Sequence, residues 1–152
     1  HVMSRKPIQW IDQVGKHVDR VFIHVDLDEE RSRVLDRIRS FGCAPGIAVS
    51  LHEDISTALS LLDQVDHVLL LAIPNPGSSG QEFDLETLRR IEEVDEHPRR
   101  SQVQVGVDGG VNKETVGLIN TERVVSGSFV LRSEDPPRQI MILQTSSSYE
   151  PS

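Results

Sequence analysis

Residues 102–111 read QVQVGVDGGV, and this stretch decides the fold. Val103, Val105 and Val107 alternate along it and run straight into Asp108; Gly109 and Gly110 then turn the chain, and Lys113-Glu114-Thr115-Val116 opens a helix. The pattern predicts a buried strand that delivers one carboxylate to its C-terminal tip. In parallel α/β proteins the strand tips are where ligands bind, because the loops and helix starts there offer free backbone N–H groups. Paired glycines let the backbone approach an anion closely, so an acid and an anion site can lie side by side. Taken alone, Asp-Gly-Gly is equally a tight turn. The surrounding chain decides between the two.

Upstream, residues 84–94 predict a helix with Leu85, Leu88 and Ile91 inward, and residues 67–73 (HVLLLAI) a fully buried strand. Before them come a helix over 55–65, a strand over 46–50 (GIAVS), a helix over 29–41 stopped by Gly42, and a strand over 20–25 (RVFIHV). A helix over 7–18 places Ile8, Ile11, Val14 and Val18 on one face. Downstream, a short helix over 113–120, a strand over 124–126 and a helix over 136–143 with tandem prolines in its first turn complete the pattern. Strands alternating with helices predict a parallel sheet with right-handed crossovers. Residues 1–143 form one domain in this reading, and 144–152 a mobile tail without apolar periodicity. His1-Val2-Met3 reads as the tip of a strand whose body is missing, the alternative being a cloning remnant ahead of an initiator Met3.

Composition narrows the partners. A chain of 152 residues with 37% hydrophobic content can bury one core. The net charge of −8 and the lack of any Lys/Arg cluster argue against nucleic acid or an anionic membrane as main partner. A bound phosphate must then be held by backbone amides. The single cysteine, Cys43, excludes an internal disulfide, fits a reducing cytoplasm and reads as a small core residue. No apolar run reaches the length of a membrane span.

Two further strand tips resemble the first in kind. The loop over 75–81 (NPGSSGQ) sets Pro and two Gly around small polar residues, and Gly127-Ser128 follows the last strand directly. Three such tips in order match the phosphate-gripping pattern over the last strands of a (β/α)8 TIM-type barrel. A closed barrel of this class needs at least about 200 residues. About six of eight β/α units would leave open sheet edges and a half-exposed interior, which predicts cover by a partner chain, a homo-oligomer.

The segments HVMSRKPIQWI, FIHVD, GIAVS, HVLLLAIPNPGSSGQEF, VGVDGGV and VVSGSFVL resemble, in order, the third to eighth strand motifs of the ribulose-phosphate 3-epimerases. The most discriminating pair is N-P-G-x-x-G-Q with D-G-G. The resemblance implies a ribulose-phosphate-binding barrel, a ketose phosphate substrate and a divalent metal (Zn, Fe, Mn or Co). It implies that His1 and Asp108 bind the metal and that Asp108 also moves a proton. It assigns the phosphate cradle to Gly77, Ser78, Ser79, Gly80, Gly109, Gly110, Gly127 and Ser128. The implied reaction interconverts D-ribulose 5-phosphate and D-xylulose 5-phosphate. Inverting a carbon next to a ketone needs one acid on each face.

The departures are equally specific. The family's first two strands, with a second metal-binding histidine and the acid opposite Asp108, have no counterpart here. Ser78-Ser79 replaces Phe-Gly, Ser50-Leu51 stands where the family has Asn-Pro, and Asp26 replaces a Glu. Asp26 reads as a surface or ion-paired carboxylate rather than a substitute base. His17, His52, His67 and His97 show no ligand spacing and read as solvent-facing or helix-end residues. Two alternatives stay open: a degenerate barrel that binds a sugar phosphate without proton transfer, and a related phosphate-binding barrel enzyme such as a hexulose-phosphate synthase.

Overall fold

Strand, helix, strand is the repeating unit of the computed structural model, which describes residues 1–149. Five strands, β1 (Arg20–His24), β2 (Ala44–Val49), β3 (His67–Leu71), β4 (Gln104–Asp108) and β5 (Arg123–Val125), pair in chain order. Every pairing is parallel. The expected strand tip at the start of the chain is a single parallel bridge between Val2 and Ile23, with the Val2 N–H donating to Phe22 O at 2.9 Å.

The two faces of the sheet differ. Val21 and Ile23 of β1, Val68 and Leu70 of β3, and Val105 and Val107 of β4 are buried in the main core beneath the helices. Alternation sends Ala48, Leu69 and Leu71 to the opposite face, where they form a small second cluster with Phe22. That face is the would-be barrel interior. Among the described residues the sheet stays open, with β5 at one edge and the Val2 bridge at the other. The architecture is that of an α/β barrel sheet, not closed on itself.

The helices are α1 (Ile8–Val14), α2 (Arg31–Ser40), α3 (Ile55–Leu59), α4 (Glu86–Asp95), α5 (Ser128–Leu131) and α6 (Pro136–Ser146). Asp54 caps α3 by accepting from Ser56 N, and Asp135 caps α6 by accepting from Arg138 N. None of the helices described is long and apolar enough to cross a membrane.

Several predicted spans change. The helix expected over 55–65 ends at Leu59, because the Ser60 hydroxyl donates back to Thr57 O and the following bonds tighten to the i→i+3 kind. The helix expected over 113–120 reduces to one 3-10 turn, Val116–Leu118. There the Asn112 side chain takes the N–H groups of Glu114 and Thr115, and Gly117 disfavours a further helical turn. The single turn α5 went unpredicted, and α6 runs three residues past its expected end at 143, into the stretch read as tail. Residues 147–149 follow without regular structure, and residues 150–152 lie outside the described residues.

Candidate active site

Register builds the site. Leu71 pairs with Asp108, and Asp108 pairs with Val125, so the C-terminal ends of β3, β4 and β5 stand side by side on one rim. Ala72 N donates to Asp108 O at 2.7 Å, carrying the alignment one residue into the loop. The loops leaving these strands therefore meet above the sheet. A cavity of about 220 Å³ lies between them, and its wall contains Asp108 with Gly77, Ser78, Ser79, Gly80, Gly109, Gly110, Gly127 and Ser128. All eight residues expected in an anion cradle share this one wall.

The loop after β3 is held from within by Gln81. Its amide accepts from Asn75 N at 3.0 Å and donates to Asn75 O and Ser78 O at 2.6 and 2.7 Å. The Asp-Gly-Gly turn is tied to both neighbours: Thr115 Oγ1 donates to Gly110 O at 3.1 Å, and Ser126 Oγ donates to Val111 O at 2.6 Å. Sequence reasoning missed Thr115 and Ser126. Hydroxyls that brace a turn from several residues away leave no motif.

Asp108 stands at the junction of two cavities. Besides the cradle it borders a space of about 570 Å³ over the would-be barrel interior, whose wall also includes His1 and Phe22. Burial pushes the Asp108 carboxyl above its ordinary value. A carboxylate so raised is a stronger proton acceptor than one in water.

His1 and Asp108, the expected metal pair, thus border one cavity, but His1 is already engaged. Its Nε2 lies 3.0 Å from His24 Nε2, with ring centroids 4.9 Å apart. His24, at the tip of β1, was not singled out from the sequence. Among the described residues no group of three or more His, Cys, Asp or Glu side chains gathers to hold a metal ion. A tetrahedral site takes four ligands or three with a water. The donor pair present does not by itself make a metal centre.

Asp26 is ion-paired, as expected: its carboxylate meets Arg5 at 2.6 Å, its side chain is 64% exposed, and Arg5 also holds Asp28 at 2.8 Å. It takes no part in the wall around Asp108. His67 departs from expectation, being only 7% exposed. It begins β3 with its ring on Phe22 and its Nδ1 unpartnered, and burial holds its pKa below the ordinary imidazole value. Alternation over HVLLL sends this residue to the inner face, a consequence the histidine's polarity concealed. Cys43 is buried, its thiol directed at Gly15 O and Val18 O.

A family profile described as the ribulose-phosphate 3 epimerase family matches residues 1–131. A ribulose-phosphate 3-epimerase of Bacillus subtilis (strain 168) is 29% identical over 147 residues, covering 92% of this chain and 67% of the relative. One from Helicobacter pylori (strain ATCC 700392 / 26695) is 33% identical over 129 residues, covering 82% of this chain and 59% of the relative. The chain spans about three fifths to two thirds of these relatives' length. Among solved structures, a crystal structure of 3-hexulose-6-phosphate synthase superposes with a TM-score of 0.67 at 17% identity, over 93% of this chain and 68% of that one. The same enzyme from Salmonella typhimurium gives 0.66 at 16% identity, over 91% and 65%. At such identity these neighbours share the fold alone. The profile and the relatives agree, and the chain belongs to the ribulose-phosphate 3-epimerase family.

Proposed function

We propose that this chain carries the phosphate-binding and proton-transfer side of a ribulose-phosphate 3-epimerase, acting on D-ribulose 5-phosphate and D-xylulose 5-phosphate. One observation carries the reading: the Asp108 carboxyl, raised by burial, borders the same cavity as the three glycine-rich tips. The tips would take the ester phosphate through backbone N–H groups, fixing the sugar's far end. Asp108 would then accept the proton from C3. The C3–H electron pair moves into the bond to C2 and onto the carbonyl oxygen, giving an enediolate, and protonation of C3 from the other face completes the inversion.

Family members generally use a divalent metal, which would supply stabilisation of the enediolate's charge. His1 and Asp108 are the donors this chain would offer; a full set needs ligands beyond that pair. The open inner face and edge strands support the expectation of a homo-oligomer. The buried, unpaired Cys43 fits a cytoplasmic setting.

A second reading, a sugar-phosphate binder without turnover, is favoured by one fact: among the described residues, Asp108 is the only carboxylate in the cradle wall. The test is to incubate the chain with D-ribulose 5-phosphate in deuterated water and follow the C3 proton by NMR. Loss of the C3 signal with the wild type and its retention with Asp108→Asn supports the enzyme. Binding of the sugar phosphate with no exchange in either protein supports the binder.

A further inference from the structure

Arg132 follows α5 directly, and that single turn carries Ser128 in the cavity wall. Its side chain returns over the loop after β3. Nη2 donates to Ser79 Oγ at 3.0 Å, and Nη1 would stand 3.2 Å from a Cβ placed on Gly80. Both contacts are with residues of the cradle wall. The chain has an excess of acid, at net charge −8, and Arg5, Arg37, Arg39, Arg89 and Arg100 each hold a carboxylate. Among the described residues Arg132 has none within 4.0 Å. A guanidinium is thus positioned on the anion loop with its charge unspent.

We propose that Arg132 is the charge-recognition residue of the cradle: it braces Ser79 and supplies the fixed positive charge that selects doubly charged phosphate groups over singly charged ones. The proposal rests on the phosphate reading above and deepens it. Backbone N–H groups are neutral dipoles, and they grip any oxyanion of the right size. A full charge adds a Coulomb attraction proportional to the ligand's own charge, which small exposed dipoles cannot match. The proposal adds one side-chain charge to a cradle read as backbone alone, and a solitary arginine past the last motif left no cluster to notice.

The experiment titrates the chain with inorganic phosphate, mainly a dianion at mildly alkaline pH, and with dimethyl phosphate, which carries one charge, at low and moderate salt. Arg132→Met should weaken phosphate binding about 3- to 10-fold and reduce its salt dependence, with a smaller loss for dimethyl phosphate. Arg132→Lys, which keeps the charge, should recover most of the affinity, and Ser79→Ala, which removes only the braced hydroxyl, should lose less than Arg132→Met. Equal affinities in wild type and Arg132→Met would overturn the proposal. So would equal losses in Arg132→Met, Arg132→Lys and Ser79→Ala, since a brace alone explains that result. Failure of the wild type to bind phosphate at all would instead remove the cradle reading on which the proposal rests.

Discussion

Gly110 faces the backbone of Phe83: a methyl group added to its α-carbon would lie 2.6 Å from Phe83 Cα, and the residue's φ is 65°. The motif reads as paired glycines that let the backbone approach an anion closely. The space a side chain would fill is taken by the protein itself. Gly110→Ala and Gly110→Val should each cost at least about 2 kcal/mol, through backbone clash and a left-handed conformation. Gly127 is the cleaner probe. It borders the same cavity, has φ −83°, and a Cβ there meets nothing within 4 Å. Thermal melts and phosphate titrations of both variants check this: Gly110→Ala should melt early, and Gly127→Val should melt normally but bind phosphate weakly.

Arg90 is 7% exposed, and its guanidinium donates to Ser50 O, Leu51 O and Glu53 O at 2.8, 2.7 and 2.9 Å. One side chain from α4 thereby fixes the loop leaving β2, where the family's Asn-Pro is replaced by Ser50-Leu51. Arg90→Met would keep much of the packing and orphan three carbonyls. We expect a loss of about 2–4 kcal/mol in urea unfolding, with Arg90→Lys recovering only part of it because an ammonium lacks the planar fork. Faster amide hydrogen exchange over 50–54 should accompany it.

The raised Asp108 carboxyl predicts a signed pH effect. Its folded pKa lies above its unfolded value, so between the two the folded chain binds more protons. Stability from this group is present in acid and lost as pH rises through the folded value. Asp108→Asn removes the charge and cannot titrate. Its Tm should exceed that of the wild type at neutral pH, and the advantage should vanish as pH falls below the ordinary carboxylate range. A constant difference across pH would assign the change to packing.

How much of this was legible depends on what each feature is made of. The strand at 104–108 and its acid were plain, because alternation, a terminal carboxylate and a glycine pair all occur within ten adjacent residues. The common rim was legible too, since parallel strands of similar length must end together. Arg132, Ser126 and Thr115 were not, because each acts across a gap that only the folded loops close. His67 was misread because a polar residue at the start of an apolar strand looks like a boundary, whereas its Cβ points to the inner face. The 3-10 turn at Val116–Leu118 was misread because Asn112 captures the amides that a longer helix would use.

Stereochemistry supplies the sharpest test of the site. Epimerisation needs a proton removed on one face of C3 and returned on the other, and a single acid serves only one face. The obvious second acid, Asp26, is neutralised by Arg5 at 2.6 Å and lies outside the cavity that Asp108 borders. The 152-residue chain, given D-ribulose 5-phosphate in deuterated water, should therefore exchange the C3 proton slowly and return it to the same face. The product would be deuterated ribulose 5-phosphate, with D-xylulose 5-phosphate forming no faster than in buffer. Asp108→Asn should abolish even the exchange, and Asp26→Asn should leave it unchanged. Chromatographic separation of the two ketose phosphates, alongside the NMR record, distinguishes these outcomes. Rapid formation of xylulose 5-phosphate that Asp26→Asn eliminates would mean that the Arg5 pair opens in the complex and that Asp26 reaches the substrate's second face.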